Sequence, residues 1–209
     1  MKQAFFITGT DTDVGKTYVA CELMRQFIAQ GYKVVGMKPV AAGREFIEGK
    51  WVHNDVQKLI SAGNVDAPLE LINPFGFDEA IAPHIAAENA GIQIKTEAIL
   101  YAFQQLCKLA DVVIVEGAGG FLVPLNDNET LADLAVKLNI PVILVTGIKL
   151  GCINHTLLTV EAIKIRNLCF HGWVANCLDP SMKAATENIN TLTARLKAMP
   201  LLTYKVDVV

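Results

Sequence analysis

Apolar positions along the chain alternate between two rhythms. Near-continuous apolar runs occupy residues 4–8, 33–38, 112–116, 142–147 and 170–176, as expected of strands buried on both faces of a parallel sheet. Between them, apolar residues recur at helical spacing. After Gly15 they place Val19, Leu23, Met24, Phe27 and Ile28 on one face, and similar patterns follow Lys95, Thr130, Asn154 and Met182. A shorter pattern with Val56, Leu59 and Ile60 begins near Asp55, where position alone makes Asn54 or Asp55 a helix N-cap. The alternation predicts an α/β fold, a mostly parallel sheet with helices on both faces. Ligands of such sheets sit beyond the carboxyl ends of the strands, which directs attention to residues 9–16, 38–43, 116–120, 147–154 and Asn176. No internal repeat, low-complexity tract or linker divides residues 1–209, so one domain is expected.

Composition narrows the function classes. Of the residues, 52% are hydrophobic, enough for a sizeable core. The strongly apolar stretches, such as 112–115 and 141–145, fall far short of the roughly 20 residues a membrane-spanning helix needs. Met1-Lys2-Gln3 leads straight into the first strand, so no export signal and no membrane partner are expected. The five cysteines are odd in number and form no C-x-x-C pair, which argues against a zinc site or disulfide framework and for a reducing cytoplasm. A net charge of −3 with interspersed signs gives no footprint for nucleic acid. Small-molecule chemistry fits better.

The chemistry starts at Phe5-Phe6-Ile7-Thr8-Gly9-Thr10-Asp11-Thr12-Asp13-Val14-Gly15-Lys16-Thr17. An apolar run feeding a short loop and then Gly-Lys-Thr describes a phosphate-binding loop whose backbone N–H groups and following helix N-terminus receive an anion. Lys16 reaches the β/γ-phosphates and Thr17 ligates Mg²⁺ in such loops. The match is a variant, because Thr10 stands where the strict pattern has glycine and Gly9 comes one residue early. An ordinary strand-turn-helix joint with an exposed lysine is the structural alternative.

Three further residues are candidates. Glu116 ends an apolar run, where nucleotide enzymes place a Mg²⁺-binding acid. The Gly117-Ala118-Gly119-Gly120 segment after it suits a tight turn, a close backbone approach to ligand, or both. Lys38 ends the second run before Pro39, which holds it extended and directs it toward the site, where a cation stabilises a transferred phosphoryl group. Asp55 becomes a metal candidate only beside the phosphate loop. His53, His84, His155 and His171 show no metal spacing and read as structural or peripheral, and no Ser-His-Asp or Cys-His arrangement points to covalent catalysis.

Taken with Lys38-Pro39-Val40, Asn54-Asp55, Val115 to Gly120, Lys149-Leu150-Gly151-Cys152-Ile153-Asn154-His155 and Gly172-Trp173-Val174-Ala175-Asn176, the loop makes the chain resemble the dethiobiotin synthetases. The resemblance spans about residues 4 to 202. It implies a three-layer P-loop NTPase-like fold and an ATP- and Mg²⁺-dependent ligase that joins CO₂ to 7,8-diaminononanoate, closing a cyclic urea. By the same resemblance, Asp13, Val14, Gly15, Lys16, Thr17 and Tyr18 bind the nucleotide, together with Asp55, Glu116, Gly117, Ala118, Gly119, Asn176 and Cys177. Thr17, Asp55 and Glu116 hold the metal, and Lys38 and Lys16 are catalytic. Thr12, Lys38, Ala42, Gly151, Cys152, Ile153 and Asn154 bind the substrate, the last four across the boundary of a homodimer.

Three departures from the family pattern stand out. Ala42 replaces a hydroxyl residue, a loss for which Arg44 or a backbone N–H is the available substitute; Cys177 replaces a frequent aspartate; and residues 203–209 replace a Gly-x-Ile-Pro segment that helps enclose adenine. Two alternatives follow. Nucleotide-switched ATPases share such a fold but carry an early lysine where Asp11 stands, and a catalytically impaired nucleotide binder would also accommodate Ala42 and the altered C-terminus.

Overall fold

Each long apolar run becomes a strand of one sheet. In the computed structural model, which describes residues 3–47 and 49–205, the elements run β1 (Gln3–Gly9), α1 (Lys16–Ala29), β2 (Val34–Met37), β3 (Val40–Ala42), β4 (Glu45–Ile47), β5 (Lys50–Val52), α2 (Asn54–Ala62), α3 (Leu69–Ile72), β6 (Phe75–Phe77), α4 (Pro83–Asn89), α5 (Thr96–Leu109), β7 (Val112–Glu116), α6 (Leu131–Leu138), β8 (Val142–Gly147), α7 (Cys152–Ile165), β9 (Phe170–Cys177), α8 (Ala185–Leu196) and β10 (Leu202–Lys205). Six strands form the main sheet in the order β10-β9-β8-β1-β7-β2. Every pairing in it is parallel.

Alternate residues of each strand go to opposite faces, and this builds three layers. Phe5, Ile7, Ile114, Ile143, Val145 and Val174 pack with Val19, Ala20 and Met24 of α1 and Leu59 of α2. On the other side, Phe6, Val113 and Val115 pack with Ile99 and Leu106 of α5 and Leu131 and Leu134 of α6. Leu144, Trp173 and Ala175 continue that layer against Val160 of α7 and Leu192 of α8. Burial on both faces is the reason these strands read as continuous apolar runs rather than alternating ones.

The structure adds elements that periodicity does not reveal. The parallel pair β3 and β6 and the antiparallel hairpin β4–β5 have three residues in each strand, too few to establish a period. α3 and α4 are similarly brief. β10 extends the sheet beside β9 as its edge strand, so part of the segment that departs from the family pattern belongs to the sheet; residues 206–209 lie outside the described residues. Two boundaries are corrected. Asn54 and Asp55 both lie inside the first turn of α2, and His53 is its N-cap. α7 starts at Cys152 rather than after Asn154, because Gly151 adopts a left-handed conformation (φ 90°) that turns the chain into the helix. Among the described residues, no helix is long and apolar enough to cross a membrane.

Candidate active site

β1 delivers the chain to the phosphate loop, whose contacts explain its variant spacing. A Cβ on Gly9 would lie 2.7 Å from Val14 Cγ2, whereas Thr10 still donates its N–H to Val145 of β8 at 3.0 Å. Glycine is therefore needed at 9 and not at 10. The loop then turns through Asp13 (φ 55°) and Gly15 (φ 86°). A Cβ on Gly15 would meet Asn176 Nδ2 at 2.1 Å, and that amide donates to the Val14 carbonyl at 2.9 Å. Asn176, expected at the nucleotide, thus also holds the loop; its second amide hydrogen and its oxygen remain for a ligand. Lys16 opens α1 and is buried, not an exposed lysine at a simple joint. Its Nζ donates to the Asp11 carbonyl at 2.8 Å. Burial, reinforced by the Lys38 charge, lowers its pKa to about 8.

Beyond the ends of β1, β2 and β7, four predicted side chains meet. Lys38 Nζ lies 2.5 Å from Glu116 Oε1 and 2.9 Å from Asp55 Oδ2, and 3.3 Å from the Gly117 carbonyl. Thr17 Oγ1 lies 2.8 Å from Asp55 Oδ1 and 2.8 Å from Glu116 Oε1. Burial opposes the Lys38 charge, but Glu116 and Asp55 outweigh it and hold the ammonium above its ordinary pKa. Complete burial pushes the Glu116 carboxyl above its usual range against the pull of Lys38. Burial also opposes ionisation of Asp55, but Lys38 and the Thr17 hydroxyl hold that carboxyl below its usual range.

The donor set fits a divalent cation of the magnesium type. Glu116 Oε2 is buried with no hydrogen-bond partner among the described residues, which leaves an acceptor for a cation. Two carboxylates and a hydroxyl are oxygen donors, as a hard cation requires. Among the described residues, no cluster of three or more His, Cys, Asp or Glu side chains could enclose a metal. Phosphate oxygens and water would have to complete the shell, the usual arrangement for magnesium on a nucleotide.

The remaining expected residues lie around this centre. Thr12 Oγ1 would stand 3.5 Å from a Cβ on Gly119, itself in the left-handed region (φ 61°), so Thr12 faces the turn after β7. Gly117 pairs its N–H with Ile7 at 2.9 Å, and Ala118 packs against the core. Tyr18 is exposed and meets the β10 residue Tyr204 edge-on, with centroids 4.9 Å apart. Cys177 is buried at the end of β9. Gly151, Cys152, Ile153 and Asn154 form the entry and first turn of α7.

Near Ala42, Arg44 and the adjacent backbone N–H groups have partners of their own. Arg44 Nε pairs with Asp78 at 3.0 Å, and the N–H groups of Gly43 and Arg44 bond to Phe77 and Asp78 beside the β3–β6 pair. Two further side chains join separate loops, His53 in the structural role expected of it. His53 Nδ1 lies 2.9 Å from the Gly43 carbonyl, joining the β3 exit to the helix that carries Asp55. Lys149 reaches Asp11 at 2.9 Å. A histidine before Asn54-Asp55 and a lysine just past an apolar run were the available signals; the pairings themselves span 10 and 138 residues.

A parallel sheet with a phosphate loop after its central strand and an acid at the end of the neighbouring one defines a P-loop NTPase-type protein. Residues 3–203 match a family model described as an AAA domain. The fold is similar to that of a ParA family ATPase from Chlorobium tepidum (TM-score 0.60, 13% identity, 99% of this chain and 84% of that one). It is equally similar to the septum site-determining protein MinD from Pyrococcus horikoshii (TM-score 0.61, 13% identity, 99% and 82%). Sequence identity is much higher to the ATP-dependent dethiobiotin synthetase BioD of Aromatoleum aromaticum, 50% over 200 residues covering 96% of this chain and 88% of that one. The Nitrosospira multiformis enzyme of the same name is 52% identical over 202 residues, 97% and 87% of the two chains. The chain belongs to the dethiobiotin synthetase family.

Proposed function

We propose that this protein is an ATP-dependent dethiobiotin synthase that carboxylates 7,8-diaminononanoate and closes its ring to dethiobiotin, releasing ADP and phosphate. The observation that carries this reading is the convergence of Lys38, Asp55, Glu116 and Thr17 beside the phosphate loop of a chain about half identical to enzymes of that name. It acts as a single P-loop domain, as a homodimer with the active site at the subunit boundary, and in the cytoplasm.

In this mechanism one amine of the substrate adds to CO₂ and loses a proton, giving a carbamate. A carbamate oxygen attacks the γ-phosphorus of ATP and ADP leaves, producing a carbamic-phosphoric anhydride. The second amine attacks the carbonyl carbon of that anhydride and gives up a proton, phosphate departs and the cyclic urea forms. Most of this chemistry consists of positioning and charge stabilisation. Lys16 holds the β/γ-phosphates, helped by backbone N–H groups of residues 13–17 and by Tyr18. The Lys38 ammonium stabilises the carbamate and then the migrating phosphoryl. Thr12 lies beside the reacting end of the substrate, and Ala42 and Lys38 also contact the substrate. Gly117, Ala118 and Gly119 contact ligand through backbone, Asn176 and Cys177 border the adenine, and residues 151–154 receive the substrate carboxylate from the partner subunit's site. Thr17, Asp55 and Glu116 would hold Mg²⁺, which supplies charge neutralisation on the phosphates.

Steady-state ATP turnover tests the reading against a nucleotide switch. A synthase consumes ATP only when diamine and bicarbonate are both present. Turnover indifferent to both would move the assignment to the switch class.

A further inference from the structure

Asp11 places a carboxylate at the front of a loop built to receive phosphates. Its backbone carbonyl accepts a 2.8 Å hydrogen bond from Lys16 Nζ, so the aspartate sits one hydrogen bond from the lysine assigned to the phosphates. Its side chain is fully engaged. Oδ1 accepts from the Thr12 N–H at 2.8 Å and Oδ2 from Lys149 Nζ at 2.9 Å. The Lys149 hydrogen bond, followed by that of Thr12, holds the carboxyl below its usual range, and it is ionised throughout the neutral region. An unbalanced anion there would oppose an incoming polyanion.

Lys149 is well placed to balance it. Its neighbour Ile148 donates to the Asn176 carbonyl at 2.8 Å, and its own carbonyl accepts from Cys152 N–H at 2.9 Å, closing the turn into α7. The two side chains are about half exposed, 49% for Lys149 and 48% for Asp11. A pair this open to water contributes little to folding stability. Its effect falls instead on the local potential in front of the phosphate loop.

We propose that Lys149 is a positioning residue of the nucleotide site: paired with Asp11 from the turn that leads into α7, it neutralises the carboxylate in front of the phosphate loop. The inference rests on the reading of Lys16 as the phosphate ligand, and not on the reaction that follows. It makes a sign-specific prediction. Lys149→Met leaves Asp11 uncompensated and weakens nucleotide binding, whereas Asp11→Asn added to it removes the offending charge and restores binding. Lys149→Arg keeps the cation and changes little.

The test is calorimetric titration of MgATP, without diamine, into the parent protein, Lys149→Met, Lys149→Arg, Asp11→Asn and the Asp11→Asn/Lys149→Met double variant, with Tm measured on each. The expected Kd rises about tenfold in Lys149→Met, stays within about twofold in Lys149→Arg and returns to within about threefold of the parent in the double variant, with Tm unchanged. Parental affinity in Lys149→Met, or a double variant that binds no better than Lys149→Met, overturns the proposal. A parent that binds MgATP but makes no dethiobiotin contradicts the assigned reaction and leaves this inference standing; a parent that fails to bind it contradicts the inference itself.

Discussion

Lys38 shows how much one residue's surroundings decide. Its ammonium is shared by two carboxylates, one of them wholly buried. Lys38→Met therefore strands Glu116, a loss of about 3–5 kcal/mol for a buried pair broken on one side, reduced to the extent that Glu116 takes up a proton. Removing a preorganised cation from developing charge should also lower kcat by about 10²–10³-fold. Thermal unfolding and steady-state kinetics on the same sample check both effects; near-parental kcat would remove Lys38 from the chemistry. Lys16 gives a pH dependence. With its pKa lowered to about 8 by burial, the free enzyme loses the phosphate-binding charge as pH rises through that value, so kcat/KM for MgATP should fall on a basic limb near pH 8. For folding the sign is opposite. Between about 8 and the ordinary lysine value of 10.5, the unfolded chain holds the proton that the folded chain has released, so this residue's contribution to stability rises with pH across that window. Lys16, Lys38 and Glu116 were legible in the sequence because each stands at a motif or strand end. The Lys149–Asp11 and His53–Gly43 pairings were not, because they join separate loops that no single local pattern encodes.

At the level of elements, the strand-to-helix turn after β1 depends on two glycines for different reasons. Gly9 lies where any Cβ would strike Val14, and Gly15 combines a left-handed backbone with a neighbour 2.1 Å from the missing Cβ. Gly31, in the turn after α1, has nearly the same φ of 89° but nothing within 4 Å. Gly15→Ala and Gly31→Ala thus share a backbone strain on the order of 1–3 kcal/mol, and only the first displaces Asn176 from the loop. The expected result is loss of MgATP binding in Gly15→Ala with binding retained in Gly31→Ala, read by calorimetry beside thermal unfolding of both. Long buried strands were plain in the sequence because burial on both faces makes each an unbroken apolar run. The three-residue strands β3 to β6 were not, since two or three side chains cannot set a period. The start of α7 was misplaced because the helical apolar spacing begins after the glycine that turns the chain into it.

Considered whole, the molecule brings the phosphate loop, Lys38, Glu116, Lys149 and Asn176 to the carboxyl edge of a six-stranded parallel sheet. β1 carries the phosphate loop, β2 leads to Lys38, β7 ends in Glu116, and β8 and β9 lead to Lys149 and to Asn176. ParA- and MinD-type proteins share this frame at 13% identity, so the frame alone does not choose between a switch and a synthase. The choice rests on the chemistry at that edge and on the family to which the chain belongs. Purified protein incubated with MgATP, 7,8-diaminononanoate and ¹³C-bicarbonate, with dethiobiotin measured by mass spectrometry and ADP counted alongside, tests it most directly. The account predicts dethiobiotin carrying the label in its ring carbonyl, formed one for one with ADP. ADP released without labelled product, or no product from folded protein that binds MgATP, would contradict it.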